Sequence, residues 1–351
     1  MYTTARLRTL KKSSESRKKS GYIRVFRKKG NKLRPFLLKA PVKDYIWGGT
    51  KLRELFGKES DTERLAESWE LSCHPDGESV IASGDSEGMK LSEFAALHPE
   101  AVGSSFRKGS SFPVLVKLID ARDDLSVQVH PNDEYAHKYE NDNGKTEMWY
   151  IISAEPGAEL VYGFKEELTK EEFRRAVEEN TLMDKVNRVP VKQGDVFFIE
   201  PGTLHAIGKG IIIAEIQQSS NVTYRVYDYG RLGADGKPRQ LHVEKALEVT
   251  NTKPADHRRP VYGLELDGVV TQLLADCDYF IVNRHRIIKE AEFLADSSSF
   301  AHILMIGGSG GELVADNYKL PLRMGTSVFV PAGTGAYAIK GNCDVIITTI
   351  P

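Results

Sequence analysis

Apolar and polar residues alternate in short runs along most of this chain, and nearly every run ends at a turn. A period of two residues is typical of half-buried β-strands, and the turns are rich in Gly, Pro, Asn and Asp. Many short strands at such spacing predict a sandwich or barrel, so we expect a mainly β fold. The clearest strands are predicted at residues 112–120, 125–130, 148–153, 159–162, 196–200 and 211–217.

Two stretches with helical periodicity interrupt these strands. Thr169 and Glu172 stand three apart, as in a capping box, and an apolar face follows over residues 173–177. A shorter helix is predicted over residues 242–249. We therefore expect a few helices inserted in a β framework.

One pattern of turns and strands occurs twice in the chain. Residues 194–206 and 325–337 each contain a glycine turn, an apolar strand, a Pro/Gly turn and a second strand. When the two Pro/Gly turns are aligned, His205 falls opposite Ala336. The repeat predicts two related β-domains, of which only the first has a ligand-type residue at this place.

The repeated pattern resembles that of the cupin superfamily, whose jelly-roll barrels carry a metal on inward-facing strand residues. The resemblance implies two cupin-type barrels. We place a metal-binding catalytic domain with a helical insertion at residues 35–252, and a β-domain without metal ligands at residues 258–351. The linker is expected near residues 251–260, where two prolines flank a polar stretch.

Charge divides the chain into a basic tail and an acidic body. Residues 1–35 hold 13 Lys or Arg and one acid, whereas the remainder holds 35 basic and 48 acidic residues. The tail could be a basic arm for nucleic acid or an anionic surface, or a disordered extension. We prefer a disordered tail over residues 1–34, because blocks of like charge without apolar periodicity rarely fold. A nucleic-acid partner is therefore not expected.

Length and residue usage narrow the class of protein further. A chain of 351 residues with 40% hydrophobic residues has material for two packed domains. It has no apolar run of about 18 residues and no apolar signal segment, so we expect a cytoplasmic protein without membrane contact. Three widely spaced cysteines argue against a disulfide framework or a cysteine zinc site. Any metal must then bind His, Glu, Asp or amide oxygens.

Four residues offer such ligands on neighbouring predicted strands. Gln128 and His130 stand two apart, so they share one face of a strand. Glu147 and His205 lie where further strands begin. Two imidazoles, one carboxylate and one amide oxygen suit zinc or another divalent ion. Because the ligand charges sum to −1, a divalent ion would keep positive charge and act as a Lewis acid.

Seven segments, in order, resemble the type I mannose-6-phosphate isomerase family, and its short bacterial branch above all. They are residues 46–49, 66–72, 117–120, 128–133, 145–150, 201–205 and 217–231. The resemblance extends over residues 35–351 and leaves out only the tail. It implies a zinc enzyme, with one ion per chain, that interconverts D-mannose 6-phosphate and D-fructose 6-phosphate through a cis-enediol.

The resemblance also implies roles for individual residues. The family's zinc ligands correspond to the four residues reached above, which are Gln128, His130, Glu147 and His205. Its active-site arginine corresponds to Arg225, and its pocket lysines to Lys117 and Lys145. Trp47 is expected to line the sugar site, with a purely structural position in the core as the alternative.

The chain departs from the family pattern just before Arg225. Members often carry an acid there, whereas residues 219–224 contain none. The group that transfers the proton therefore stays open among Lys145, Asp228, Glu67 and a zinc-bound hydroxide. We prefer Lys145, because a neighbouring cation favours the neutral, proton-accepting form of a lysine.

Two other functions remain open at this point. The first is another metallo-cupin reaction, either on a different phosphosugar or as an oxygenase, which a redox-active iron would favour. The second is a non-catalytic sugar-phosphate sensor that uses the basic tail on nucleic acid. The four-ligand set argues against a sensor, which has no need of an open Lewis-acid position. The oligomeric state is not fixed by the sequence.

Overall fold

The computed structural model describes residues 33–106, 111–233, 236–255 and 261–351, and strands dominate these ranges. The expected mainly β fold is confirmed. The strands, numbered β1 to β23 in chain order, are Phe36–Lys39, Val42–Lys43, Glu67–Leu71, Cys73–His74, Gly77–Glu78, Val80–Ile81, Val114–Ala121, Val127–Val129, Glu147–Ala154, Glu159–Phe164, Val186–Pro190, Val196–Ile199, His205–Ile207, Ile211–Gln218, Tyr224–Tyr227, Gly263–Leu266, Val269–Asp276, Ile281–Ile287, Glu290–Ala295, Ala301–Ala315, Tyr318–Leu322, Ser327–Val330 and Gly335–Thr349.

Helices form a smaller part of the described chain. Numbered α1 to α7, they are Lys51–Phe56, Leu91–Leu97, Pro99–Val102, Asp133–Tyr139, Lys170–Glu178, Leu182–Lys185 and Val243–Val249. None of the helices in the described ranges has the length and hydropathy of a membrane span. The predicted tail lies outside the described residues over 1–32.

The elements predicted from residue periodicity are present. All six predicted strands occur, as β7, β8, β9, β10, β12 and β14, with ends within two residues of the predicted ones. The capping box at the start of α5 is formed, because Thr169 accepts a bond from the backbone of Glu172 and the Glu172 side chain accepts from Thr169. The predicted helix at 242–249 is α7.

Two antiparallel sheets enclose the first core. One has the order β12-β9-β14-β7-β3-β2 and the other has the order β11-β10-β13-β8-β15. Side chains from both sheets pack together between them, for example Trp149 and Ile213 from the first with Leu160 and Ile207 from the second. In such a pair of sheets, every second residue of each strand points into the space between them.

The six-stranded sheet is buried on its other face as well. Met148 and Tyr150, which alternate with Trp149 along β9, pack in one cluster with Phe300 and Ile346 from the C-terminal part of the chain. Sheets covered on both faces read as nearly continuous apolar runs. This explains why β7 and β14 are mostly apolar and interrupted by only a few polar residues, such as Lys117 and Glu215.

A ten-stranded sheet makes up most of the C-terminal half. Its main order is β16-β17-β18-β23-β20-β22-β1-β6, while β19 pairs with β23 and β21 with β20. The strand β1 pairs with β22, so that Phe36 lies opposite Phe329. This sheet therefore includes strands from both ends of the described chain. The boundary at residues 252–258 stays a prediction, and residues 256–260 of the expected linker lie outside the described ranges.

The repeated pattern of turns is visible in the backbone. Gly194 and Gly202 flank β12 with φ of 91° and 87°, and Gly325 and Gly333 flank β22 with φ of 82° and 77°. All four lie in the left-handed region that favours glycine. His205 opens β13 in the first repeat, and Ala336 lies at the start of β23 in the second.

A group of polar side chains joins the six-stranded sheet to the C-terminal one. Lys58 Nζ donates to Glu70 Oε2 at 2.7 Å and to the Gly325 carbonyl at 2.6 Å. Ser327 Oγ lies 2.7 Å from His302 Nε2 and donates to the backbone carbonyl of Glu70. Glu70, Ser327 and His302 are buried, whereas Lys58 is partly exposed.

Candidate active site

Two rows of residues, paired across neighbouring strands, define the candidate site. Residues in register on adjacent strands point to the same side of a sheet. The row across the six-stranded sheet is Trp149, Glu215, Lys117 and Trp69. The row across the five-stranded sheet is Tyr162, His205, Gln128 and Arg225. Polar groups from distant parts of the chain therefore face the same internal space.

His130, Glu147 and His205 form a compact buried cluster within this space. Each offers a ligand atom, and these atoms lie within 4.8 Å of one another. Glu147 Oε1 is 3.4 Å from His130 Nε2, and Glu147 Oε2 is 3.7 Å from His205 Nε2. The three residues come from the end of β8 and the starts of β9 and β13. The pairing of β8 with β13 brings the two histidines together, and Glu147 reaches them from the six-stranded sheet.

Backbone carbonyls fix the orientation of both imidazoles. His130 Nδ1 lies 2.8 Å from the Val222 carbonyl, and His205 Nδ1 lies 2.8 Å from the Thr203 carbonyl. A carbonyl oxygen only accepts, so each Nδ1 carries the hydrogen and donates it. Each Nε2 then keeps its lone pair toward Glu147. Second contacts of this kind typically orient histidine ligands of metals.

Burial sets the charge state of the cluster. It lowers the pKa of His205 to about 4. Burial, together with nearby Lys145 and His205, lowers the pKa of His130 well below its usual value. Burial and the neighbouring Glu215 carboxylate raise the pKa of Glu147 to about 7. The imidazoles are therefore neutral near pH 7, which is the form that binds a metal.

Two buried atoms of the cluster indicate what it lacks. Among the described residues, neither Glu147 Oε2 nor His205 Nε2 has a hydrogen-bond partner. Buried polar atoms are normally satisfied, so an unsatisfied acceptor pair points to an ion or water. Gln128, the register partner of His205, could add an amide oxygen, and that oxygen lies 3.4 Å from Ser126 Oγ. The donor set fits a divalent cation.

Lys145 lies directly beside this cluster. Its Nζ is 2.7 Å from Glu147 Oε1 and donates toward His130 Nε2 at 3.2 Å. The side chain is buried and lines a cavity of about 300 Å³. A titratable amine is thus placed between the metal-type ligands and the space for a substrate.

The cavity brings together the sequence-predicted residues. Trp47, Lys117, Gln128, Lys145 and Arg225 line it, and the His130, Glu147 and His205 side chains lie adjacent to its wall residues Gln128 and Lys145. Trp47 is buried and also packs in the first core, so both interpretations of this tryptophan apply.

Lys117 is held as a cation by two carboxylates. Its Nζ lies 3.1 Å from Glu215 Oε2 and 3.9 Å from Glu67 Oε2, and 5.3 Å from the centre of the Trp69 ring. Burial opposes the charge, but Glu215 and Glu67 outweigh it and raise the pKa of Lys117. Lys117 therefore contributes a fixed positive charge to the cavity wall, and the neighbouring carboxylates largely balance it.

Arg225 reaches the cavity from β15. Its Nε donates to Ser126 Oγ at 3.2 Å and its Nη1 donates to the Gln240 carbonyl at 3.0 Å. Burial and the adjacent Arg239 lower the pKa of Arg225, although an arginine remains charged at any working pH. No carboxylate forms an ion pair with Arg225 in the described ranges.

Asp228, a candidate base, is engaged elsewhere. Arg239 Nε donates to its Oδ2 at 2.7 Å, and Arg231 Nη2 donates to its Oδ1. Burial opposes ionisation, but these arginines hold the pKa of Asp228 below its usual value. The carboxylate is absent from the described lining of the cavity, whereas Arg239 belongs to it.

Several lining residues were not singled out from the sequence. Glu215 is the one charged residue in the otherwise apolar run of residues 211–216, which is a signal that could have identified it. Tyr45 directly precedes the 46–49 segment. The sequence does not single out Asn221 and Arg239. They reach the cavity from loops, where apolar and polar residues follow no regular period.

Comparison with known proteins agrees with this geometry. Residues 36–165 match the model for the catalytic domain of phosphomannose isomerase type I, and residues 270–350 match the model for the cupin domain of mannose-6-phosphate isomerase. The second match confirms the cupin-type fold expected for the C-terminal part.

Individual relatives extend the match to nearly the whole chain. Mannose-6-phosphate isomerase ManA from Bacillus subtilis is 39% identical, over 90% of this chain and 98% of that protein. Mannose-6-phosphate isomerase from Streptococcus mutans is also 39% identical, over 89% and 97%. The crystal structure of the Bacillus subtilis mannose 6-phosphate isomerase superposes with a TM-score of 0.85 at 36% identity, covering 90% and 99%. The chain belongs to the type I mannose-6-phosphate isomerase family, whose members are isomerases.

Proposed function

We propose that this protein interconverts D-mannose 6-phosphate and D-fructose 6-phosphate through a cis-enediol, at one zinc ion per chain. The observation that carries the proposal is the buried cluster of His130, Glu147 and His205, which contacts Lys145 on the wall of a cavity lined by cationic side chains. The substrate is the one named for the close relatives. Such a metabolite is found in the cytoplasm, where we expect the enzyme.

The metal would be held by Gln128, His130, Glu147 and His205. Two neutral imidazoles, a carboxylate and an amide oxygen suit zinc, and their summed charge leaves a bound divalent ion positive. When bound, such an ion supplies Lewis acidity that stabilises negative charge on a substrate oxygen. The carbonyl partners of both Nδ1 atoms support these ligand roles.

The reaction moves a proton between C1 and C2 while the oxygens on those carbons gain negative charge. Arg225, half-buried at the cavity wall and without a carboxylate partner in the described ranges, would stabilise that charge electrostatically. Lys145 Nζ would accept the proton from one carbon and return it to the other. Trp47 would cover the sugar and keep water from the enediol.

The contacts of the other candidate bases support this choice of Lys145. Both carboxylate oxygens of Asp228 accept bonds from arginines. Glu67 Oε2 accepts a bond from Trp69 Nε1 at 2.7 Å and lies near Lys117. Lys145 combines a position on the cavity wall with contact to the metal-type cluster.

The test is metal analysis of the purified protein alongside a coupled assay on a panel of hexose 6-phosphates. We expect about one zinc per chain and conversion of mannose 6-phosphate that a chelator abolishes and added zinc restores. Glucose 6-phosphate in the same panel controls for unspecific isomerisation. If mannose 6-phosphate shows no chelator-sensitive conversion, the proposed function is wrong.

A further inference from the structure

Two arginines bind one carboxylate at the edge of the candidate site. Asp228 Oδ2 accepts from Arg239 Nε at 2.7 Å, and Asp228 Oδ1 accepts from both Arg239 Nη2 and Arg231 Nη2. The two bonds to Arg239 form a bidentate pair, which fixes the plane of its guanidinium. Asp228 is buried, so this geometry is shielded from water.

Arg239 and Arg231 differ in what they face. Arg239 lines the cavity together with Arg225, whose pKa is lowered by burial and then by the charge of Arg239. Arg231 Nη1 donates to the Asp124 carbonyl instead, and the residue is absent from the described lining. Asp228 thus holds one arginine at the cavity and another away from it.

The balance of charge along the cavity singles out this region. Lys145 is paired with Glu147, and Lys117 is paired with Glu215. At the arginine cluster, Arg231 and Arg239 share the single carboxylate of Asp228, and the neighbouring Arg225 has no carboxylate partner in the described ranges. Like charges brought together in a partly buried place cost free energy unless an anion joins them.

One cavity joins Arg239 to the metal-type cluster. Arg239 lines it together with Gln128, a proposed metal ligand, and Lys145, the proposed base. A single substrate in this cavity can therefore have its reacting carbons at the cluster and its phosphate at Arg239.

We propose that Arg239 binds the substrate's phosphate and that Asp228 is the positioning residue that holds Arg239 for it. The inference rests on the proposed function and adds the group that recognises the phosphate. Arginine suits this task, because its planar fork matches the geometry of phosphate oxygens. Lys117, balanced by carboxylates, then has a lesser part in holding the anion.

Steady-state kinetics of the zinc-loaded enzyme test the proposal. Arg239→Ala is expected to raise KM for mannose 6-phosphate about 10- to 100-fold, the size of losing bonds to a charged group, with kcat within about threefold. The inhibition constant of inorganic phosphate should rise by a similar factor. Arg239→Lys should recover part of the loss. Arg231→Ala is the matched control, since it removes the other arginine on Asp228 and should leave KM within about threefold.

The positioning role is tested by a double-mutant cycle. Asp228→Asn keeps the shape but loses the charge, and should raise KM about 5- to 10-fold with the zinc content unchanged. Combined with Arg239→Ala, it should add little, because both changes remove the same contact. Fully additive effects would overturn the role of Asp228. Unchanged KM and phosphate inhibition in Arg239→Ala would overturn the phosphate site.

Phosphate binding measured by calorimetry separates this inference from the proposed function. Binding of inorganic phosphate that is lost in Arg239→Ala and kept in Arg231→Ala would support the anion site even if mannose 6-phosphate is not converted. Conversion of mannose 6-phosphate with phosphate binding that is indifferent to Arg239 would leave the proposed function standing and remove this inference.

Discussion

At the level of single residues, the site depends on which polar atoms have partners and which do not. The Nδ1 atoms of His130 and His205 each donate to a carbonyl, while Glu147 Oε2 and His205 Nε2 have no hydrogen-bond partner among the described residues. The ligand atoms are therefore in place before a metal ion binds, which lowers the entropy cost of ordering them on binding.

Replacement of His205 should remove the metal. We expect His205→Ala to lose both zinc and mannose 6-phosphate isomerisation, because one of two imidazoles disappears and a buried carboxylate remains. Zinc content by elemental analysis is the measurement. His302→Ala, which removes another fully buried histidine, is the control and should retain the metal. Full zinc retention in His205→Ala would contradict the ligand set.

Replacement of Arg225 should separate catalysis from metal binding. We expect Arg225→Ala to keep its zinc while kcat falls about 100-fold or more, the usual effect of losing one electrostatic stabiliser of a transition state. Kinetics and metal content are measured on the same preparation. Unchanged turnover would exclude Arg225 from the mechanism.

The residues differ in how far the sequence could identify them. Gln128 and His130 could be paired from the sequence alone, because residues two apart on a strand lie on the same face. Glu147 and His205 were named from their ligand chemistry on the cupin-like pattern of turns, since nothing local links them to β8. Arg239 could not be found in either way, because its place depends on an ion pair with Asp228 across a loop.

At the level of elements, short turns between strands determine where the ligands lie. Gly202 sits between β12 and β13, and its positive φ directs the chain into His205 three residues later. The prediction of both repeats from their Pro/Gly turns succeeded because a left-handed residue leaves a clear sequence trace. The pairing of β8 with β13, which brings Gln128 and His205 side by side, could not be predicted from the sequence. Strand order depends on contacts between residues far apart in the chain.

The two equivalent turn glycines provide a matched test. Gly333→Ala has open space for the new Cβ, so we expect only the strain of a positive φ, about 1 to 2 kcal/mol of unfolding free energy. In Gly202→Ala, the Cβ would also lie 2.8 Å from the Val249 carbonyl. Denaturant unfolding should therefore show a larger loss, and zinc titration a weaker affinity. Equal behaviour of the two variants would contradict this account.

At the level of the whole molecule, buried polar groups connect the six-stranded sheet to the C-terminal one. Lys58 and Glu70 lie near His302, whose ring is fully buried. Burial, aided by the charge of Lys58, lowers the pKa of His302 to about 3. The domain boundary could not be derived from the repeat alone, because β1 pairs with β22 in the C-terminal sheet while β2, a few residues later, joins the six-stranded sheet with β3.

Acid should weaken this connection. Since the pKa of His302 is lower in the folded state, the unfolded chain takes up a proton first as the pH falls below about 6.5, and unfolding free energy decreases toward pH 3. When the pH falls from 7 to 4.5, we expect the unfolding free energy of His302→Gln to decrease by about 2 to 3 kcal/mol less than that of the unaltered chain. Urea unfolding at both pH values measures this difference.

His98, a partly exposed histidine, provides the control for that comparison. His98→Gln should show nearly the same acid dependence as the unaltered chain, because it leaves the buried His302 ring in place. If His302→Gln and His98→Gln behave alike, the buried ring is not a source of the acid sensitivity.

The strand β1 has a consequence for how the protein is made. Phe36 leaves the ribosome early, yet its partner Phe329 is synthesised about 290 residues later, which takes roughly 15 to 60 s at ordinary translation rates. β6, made soon after β1, can pair with Leu38 and Lys39 in the meantime, but Phe36 and Leu37 have no partner strand until β22 exists. A newly made chain therefore has to shield the start of β1 during most of its synthesis.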